Sequence, residues 1–193
     1  MNRIVILGGG VGGTLTANLL ARRLGRRIKR GEATITVVDW TGDHVYQPGF
    51  MYIAMGGEKA DKLQRPERKL LDKRVELVVG EIAGVDEVER SVALTDGRTL
   101  LYDYLVLATG SRITPDEVPH YATEAHHFYN AQAALKLRHA LDAFAGGRIV
   151  VAIAGMPYKC PPAPLEVSLL IESEMRRRGL RTQTEIQDRK SVV

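Results

Sequence analysis

Cysteine is nearly absent. Cys160 stands alone among 193 residues, so no intramolecular disulfide can staple the fold, and the five histidines show no ligand-like spacing with it or with one another. A disulfide scaffold and a structural zinc site are excluded. Long apolar runs are missing as well. Runs such as Ile149 to Ala154 and Tyr104 to Ala108 fall far short of the roughly 20 residues a membrane-spanning helix requires. The chain passes from Met1-Asn2-Arg3 straight into Ile4-Val5-Ile6-Leu7 and glycines, without the apolar segment and small-residue cleavage site of a secretory leader, so a cytoplasmic location is expected. Nor is there a large excess of one charge: 27 Lys and Arg face 23 Asp and Glu. The basic clusters, Arg22, Arg23, Arg26, Arg27, Lys29 and Arg30, then Arg176, Arg177, Arg178 and Arg181, lie near the ends of predicted helices. Cations there complement the helix dipole, which favours solvated faces over nucleic-acid binding and leaves attraction to an anionic membrane surface as an alternative.

What is present is an ordinary globular balance, 45% apolar and 26% charged. At roughly 150 residues per domain, the length allows one domain and a remainder. Residues Arg3 to Leu7 read as a buried strand, Gly8-Gly9-Gly10-Val11-Gly12-Gly13 as a turn, and Thr14 to Leu24 as a helix. Gly8, Gly10 and Gly13 fit G-x-G-x-x-G. The first makes a tight turn, the second admits a pyrophosphate to the backbone, and the third lets helix and strand pack closely. The helix N-terminus then presents free N–H groups and a positive dipole to phosphates. A second strand, Ala33 to Val38, ends in Asp39, whose carboxylate suits ribose hydroxyls or else caps the following loop. The basic loop Gly25 to Gly31 accounts for a spacing slightly longer than the usual, about 20 residues.

The segment Val75 to Asp86, the strand Ser91 to Leu94, the turn Asp96-Gly97 and the strand Thr99 to Tyr102 read as short strands with a hairpin. They lead into Tyr104 to Leu107 and Ala108-Thr109-Gly110. A dinucleotide-binding sheet that carries a β-meander and returns a strand ending in Ala-Thr-Gly resembles the two-dinucleotide-binding-domain flavoproteins. The resemblance implies an α/β fold, with a Rossmann-like FAD-binding domain bearing a β-meander insertion. It also implies a cofactor set of Gly8, Gly10, Gly12, Gly13, Asp39, Ile82, Ala108, Thr109 and Gly110. His44-Val45-Tyr46-Gln47-Pro48-Gly49-Phe50 is either an ordinary polar loop or, as in quinone-reducing members with a comparable aromatic-x-Pro stretch, a segment near the flavin. In the second case Tyr46, Gln47 and Pro48 join the set.

Asn130 to Phe144 reads as a helix with Asn130 as its cap and Leu137, Leu141 and Phe144 as its apolar stripe; Gly146-Gly147 ends it. Arg148 to Ala154 is a new buried strand. Where a second glycine motif for a nicotinamide cofactor would follow, the chain reads Gly155-Met156-Pro157-Tyr158-Lys159-Cys160-Pro161-Pro162-Ala163-Pro164-Leu165-Glu166. Prolines donate no N–H to a pyrophosphate, so NAD(P)H binding is not expected there. Cys160 sits just before a helix from about Ala163 to Arg178 and beside Lys159, a setting that favours a reactive thiolate; the rival reading is a lone cysteine used as a small hydrophobe. Glu166, on the first turns of that helix, suits either the dipole or proton transfer.

Pro157 to Glu166 resembles the cysteine motif of sulfide:quinone oxidoreductases and the related flavocytochrome c sulfide dehydrogenases. The resemblance implies FAD, a cysteine pair handling sulfide sulfur beside it, and transfer of two electrons to a membrane quinone or a haem partner. Cys160 becomes one of the pair and Glu166 a candidate acid/base. Many members carry a cysteine that tethers the flavin before the Asn130 helix; this chain has His126-His127-Phe128-Tyr129 there, so FAD is expected to be non-covalent. His126 and His127 are either proton-handling or plain surface residues. The alternatives are a type II NADH:quinone dehydrogenase, a thiol-disulfide reductase, whose C-x4-C pair is missing, and a non-catalytic FAD-binding fragment.

By the same resemblance the second cysteine and the helices that dock on the membrane lie beyond residue 193. The expectation is therefore an FAD-binding domain over residues 1–145, an incomplete second Rossmann-like domain over 146–187, and a non-native tail over 188–193, which reads like translated sequencing adapter. Such a chain is expected to be inactive alone, with peripheral membrane association supplied by the missing region. Its expected partners are sulfide or a related small sulfur species and a membrane quinone, with no metal ligand.

Overall fold

The computed structural model of the protein describes residues 1–189, the side chain of Asp116 excepted. The chain divides into two compact units, Met1–Val45 with Gln64–Arg112, and Tyr46–Leu63 with Ile113 onward. The boundary expected at residue 145 falls inside the second unit.

The first unit follows β1 (Asn2–Leu7), α1 (Val11–Arg23), α2 (Gly25–Lys29), β2 (Ala33–Asp39), β3 (Asp43–Val45), β4 (Gln64–Pro66), β5 (Glu76–Val79), β6 (Ile82–Asp86), β7 (Ser91–Leu94), β8 (Thr99–Leu101) and β9 (Tyr104–Leu107). Four strands form a parallel sheet in the order β5-β2-β1-β9. Side chains alternate across a strand, and β1 uses both faces. Ile4 and Ile6 pack with Ala17 and Ala21 of α1, Ile35 and Val37 of β2, and Leu71 and Val75. Val5 and Leu7 pack on the other face with Val38, Val78, Val92, Leu94 and Tyr102. A sheet covered on both sides needs near-continuous apolar strands, which is why Ile4 to Leu7 show no polar alternation. The second cover is the antiparallel meander β6-β7-β8. Ile82, at the start of β6, pairs with Leu94 and packs into this layer. The pair β3-β4 is antiparallel and has no clear period in the sequence.

Arg3 and Asp103 tie the starts of β1 and β9. The Arg3 guanidinium donates to both carboxylate oxygens at 3.2 and 3.0 Å, the Arg3 backbone N–H donates to Oδ2 at 2.6 Å, and the Asp103 N–H donates to the Arg3 carbonyl at 2.9 Å.

The second unit contains α3 (Phe50–Ala54), α4 (Tyr121–Glu124), α5 (Ala131–Ala143), β10 (Gly147–Ala152), α6 (Ala163–Arg177) and β11 (Thr184–Arg189). Strands β10 and β11 pair in parallel. Leu141, Val167, Ile171 and Met175 form its core with Met51, Phe128, Ile149 and Ile186 against them. Asn130 caps α5 by accepting the Ala133 N–H at 2.8 Å. At the other end Arg178 donates to the carbonyls of Leu141, Asp142 and Phe144, so one of the clustered arginines does serve a helix C-terminus, that of a neighbouring helix. Asp188 and Arg189 pair with Val151 and Ala152; a parallel ladder is made by backbone groups and does not demand side-chain alternation. The rest of that segment, 190–193, lies outside the described residues.

Candidate functional site

In the first unit, β1 ends at Leu7 and α1 begins at Val11. The three residues between them are Gly8-Gly9-Gly10, and each meets a different constraint. Gly8 has φ +102°, and a Cβ there would lie 2.4 Å from the Ala108 carbonyl oxygen. This close approach brings Ala108-Thr109, at the end of β9, against the glycine turn. Ala108 itself donates its N–H to the Leu7 carbonyl at 2.8 Å. Gly13 packs helix on strand, since a Cβ would fall 1.9 Å from the Gly8 oxygen. Gly10 differs from both. It has φ −75° and a Cβ there would meet nothing within 4 Å, so its lack of a side chain serves no internal packing. A Cβ at Gly12 would only touch Ala108, at 3.9 Å.

No side chain among the described residues caps α1. Its first amides are left to whatever lies in front of the turn, and an open, uncapped N-terminus is what a phosphate fits. The turn therefore fits a dinucleotide pyrophosphate on two observations, the free amides and the open space at Gly10.

Asp39 is nearly buried. Its Oδ1 accepts from the Thr41 N–H and hydroxyl, both at 3.0 Å, and from the Gly42 N–H at 2.8 Å, so the loop-capping alternative is present. Its Oδ2 accepts the Gly9 N–H at 2.9 Å, which ties β2 to the glycine turn. The same turn is met by three side chains that the sequence did not mark. Glu67 is fully buried, with Oε1 2.5 Å from the Thr14 hydroxyl and Oε2 3.0 Å from His44 Nδ1. Both Thr14 Oγ1 and His44 Nδ1 also lie 3.0 Å from the Gly9 carbonyl oxygen. Glu67 sits between Arg65, Arg68 and Lys69, a composition that reads as surface, and nothing local signals its burial.

In the second unit, Cys160 is exposed and has the left-handed φ of +60° that non-glycine residues seldom adopt. Its carbonyl accepts the Ala163 N–H at 3.0 Å at the start of α6. Lys159 is held twice: its carbonyl accepts the Tyr129 hydroxyl at 2.7 Å, and its ammonium donates to Gln47 Oε1. Gln47 and Pro48 form a short 3-10 turn and the Tyr46 N–H donates to the Leu63 carbonyl at 2.8 Å. The Tyr46-Gln47-Pro48 segment is thus brought to the cysteine segment. Burial, then the neighbouring Cys160, push the Tyr129 hydroxyl above the ordinary phenol value. Glu166 is exposed on the first turn of α6. His127 stacks on Tyr121 and lies tilted to Tyr129. Burial, then Lys136 and His126, hold it below the ordinary imidazole value. His126 and His127 line an open hollow of about 400 Å³ with Tyr121, Asn130 and Lys136.

Residues 2–156 match the family described as pyridine nucleotide-disulphide oxidoreductase. The sulfide-quinone reductase of Aquifex aeolicus is 30% identical over 184 residues, covering 92% of this chain and 40% of that one. A type II NADH:quinone oxidoreductase of Mycobacterium tuberculosis is 30% identical over 142 residues, covering 71% of this chain and 28% of that one. The crystal structure of the sulfide:quinone oxidoreductase from Aquifex aeolicus superposes with a TM-score of 0.84 at 24% identity, covering 98% of this chain and 43% of that one; that likeness is one of fold. The chain spans less than half the length of these relatives. Among the described residues no helix is long and apolar enough to cross a membrane.

Proposed function

The chain belongs to the pyridine nucleotide-disulphide oxidoreductase family, and on that premise we propose that it provides the FAD-binding part and the cysteine segment of a sulfide:quinone oxidoreductase. The glycine turn of the first unit takes the FAD pyrophosphate on the free amides of α1 and at the open face of Gly10. Asp39 Oδ2, whose one partner among the described residues is Gly9, is offered to the ribose. Ala108 and Thr109 border the turn, Gly110 follows them in the chain, and no cysteine precedes the Asn130 helix to tether the cofactor. When bound, FAD supplies two-electron redox chemistry, with sulfide as donor and a membrane quinone as acceptor. Cys160 is the sulfur-handling residue, presented at the surface ahead of α6, while Tyr129 and Gln47 hold Lys159 beside it. Glu166, exposed on the same helix, is the candidate proton carrier.

The observation that carries the sulfide reading over the NADH reading is the segment following β10. A second glycine turn would belong there for a nicotinamide cofactor. Pro157, Pro161 and Pro162 stand there instead, with Cys160 exposed in a left-handed conformation. Association with a membrane is peripheral in this reading.

The test is spectroscopic. The protein purified from its native source is expected to carry FAD released by mild acid, and its flavin absorbance is expected to bleach anaerobically with sulfide and not with NADH. Bleaching by NADH alone would replace this reading with the type II NADH:quinone one. Loss of sulfide bleaching in Cys160→Ser, with FAD still bound, is the matching expectation for the cysteine.

A further inference from the structure

Glu67 is a carboxyl group with no exposed surface, and a buried carboxyl persists only where its oxygens are satisfied. Both are, but by side chains that also reach the dinucleotide turn. We infer that Thr14, His44 and Glu67 are positioning residues that lock the Gly9 carbonyl inward and so aim the Gly10 amide at the phosphates. The inference rests on the proposed FAD site.

The neighbours of His44 Nδ1 at 3.0 Å are a carboxyl oxygen of Glu67 and a carbonyl oxygen. Both accept, so Nδ1 carries the ring proton and divides it between them. The Thr14 hydroxyl likewise has one proton and two oxygen neighbours, Glu67 Oε1 at 2.5 Å and Gly9 O at 3.0 Å. The Gly9 carbonyl thus faces two donor groups, each of which shares its one proton with Glu67. Its N–H is held by Asp39 Oδ2. With both its N–H and its C=O tethered, Gly9 cannot rotate freely, although a glycine has the widest backbone freedom of any residue. In a trans peptide the N–H points opposite to the preceding C=O. Holding the Gly9 oxygen toward the buried side chains therefore turns the Gly10 N–H away from them. The network is anchored from its own side too, because the Glu67 N–H donates to the Gly42 carbonyl at 2.8 Å, in the loop that Asp39 caps.

Glu67→Gln keeps the shape of the side chain but leaves one acceptor oxygen in place of two; with its amide N–H₂ toward His44 the ring proton moves to Nε2 and one donor is removed from Gly9. Thr14→Val removes the other at nearly constant volume, and Thr14→Ser restores it. In the 193-residue chain, Glu67→Gln and Thr14→Val are expected to weaken FAD binding about tenfold or more by fluorescence titration, and Thr14→Ser to bind as wild type. Amide exchange in the apo chain is expected to quicken at Gly9 and stay unchanged at Ile6 and Val37. The ¹⁵N shift of His44 Nδ1 is expected to move from protonated to unprotonated in Glu67→Gln. If wild type binds FAD and both variants bind equally well, the inference falls and the proposed function stands. If exchange at Ile6 and Val37 quickens along with Gly9, the effect is general loosening and the inference also falls. If wild type does not bind FAD at all, the proposed site fails, and this inference with it.

Discussion

At the scale of single residues, the glycines of the turn should separate by experiment. Gly8→Ala and Gly13→Ala both drive a Cβ into backbone oxygen, at 2.4 and 1.9 Å, and Gly8 also has φ +102°. Each is expected to destabilise the protein by about 2 kcal/mol or more, the range for strained backbone positions. Gly10→Ala meets no protein atom within 4 Å and has an ordinary φ of −75°, so its stability should stay within about 0.5 kcal/mol of wild type. Its FAD affinity should nonetheless fall sharply, because the methyl group occupies the space left for the pyrophosphate. Denaturant titration and FAD titration of the same three variants check both halves. A Gly10→Ala chain that binds FAD as tightly as wild type would remove Gly10 from the site. The sequence motif assigns the three different roles, and the distances separate the packing glycines, Gly8 and Gly13, from Gly10, which is left open.

At the scale of elements, the join between β1 and β9 carries a pH signature. The Arg3 guanidinium, then the Arg3 backbone N–H, hold Asp103 at about 2, below the ordinary aspartate value of 3.8. A carboxylate lowered in the folded state contributes stability that is fully present above its unfolded value and is lost as pH falls through its folded value. The contribution should therefore be intact above about pH 4 and vanish toward pH 2. Asp103→Asn is expected to lower the thermal midpoint near neutral pH and to converge with wild type as the pH approaches 2. A constant difference across that range would show that the pair acts through packing rather than charge. Elements themselves were largely legible where a period and a terminator coincide. Asn130 and Gly146-Gly147 bracket α5, and apolar Ile4 to Leu7 ahead of glycines mark β1. The short antiparallel pair β3-β4 was not, because its residues, Asp43-His44-Val45 and Gln64-Arg65-Pro66, have neither alternation nor apolar character. Only pairing with each other makes them strands.

At the scale of the whole molecule, the sequence shows what is local and hides what is assembled from afar. The glycine turn, Asp39 and the Cys160 segment are contiguous signals tied to flanking elements. Glu67 was invisible because its burial depends on Thr14, 53 positions away, while its chain neighbours are cations. Likewise, residues 46–63 interrupt the first unit in sequence yet belong to the second. Whether the first unit is the FAD-binding body can be asked through linkage. A ligand that binds only the folded state stabilises it by about 2.7 kcal/mol at one hundred times its dissociation constant. Since about 1.4 kcal/mol is a factor of ten, exchange of amides that open only on global unfolding should slow about 100-fold. The amides of Ile6 in β1 and Val37 in β2, residues with no exposed surface, are suited to report this. Saturating FAD is expected to slow both about 100-fold in wild type and hardly at all in Gly10→Ala, whose apo rates should match wild type. Equal slowing in the two proteins would place the ligand somewhere other than the glycine turn.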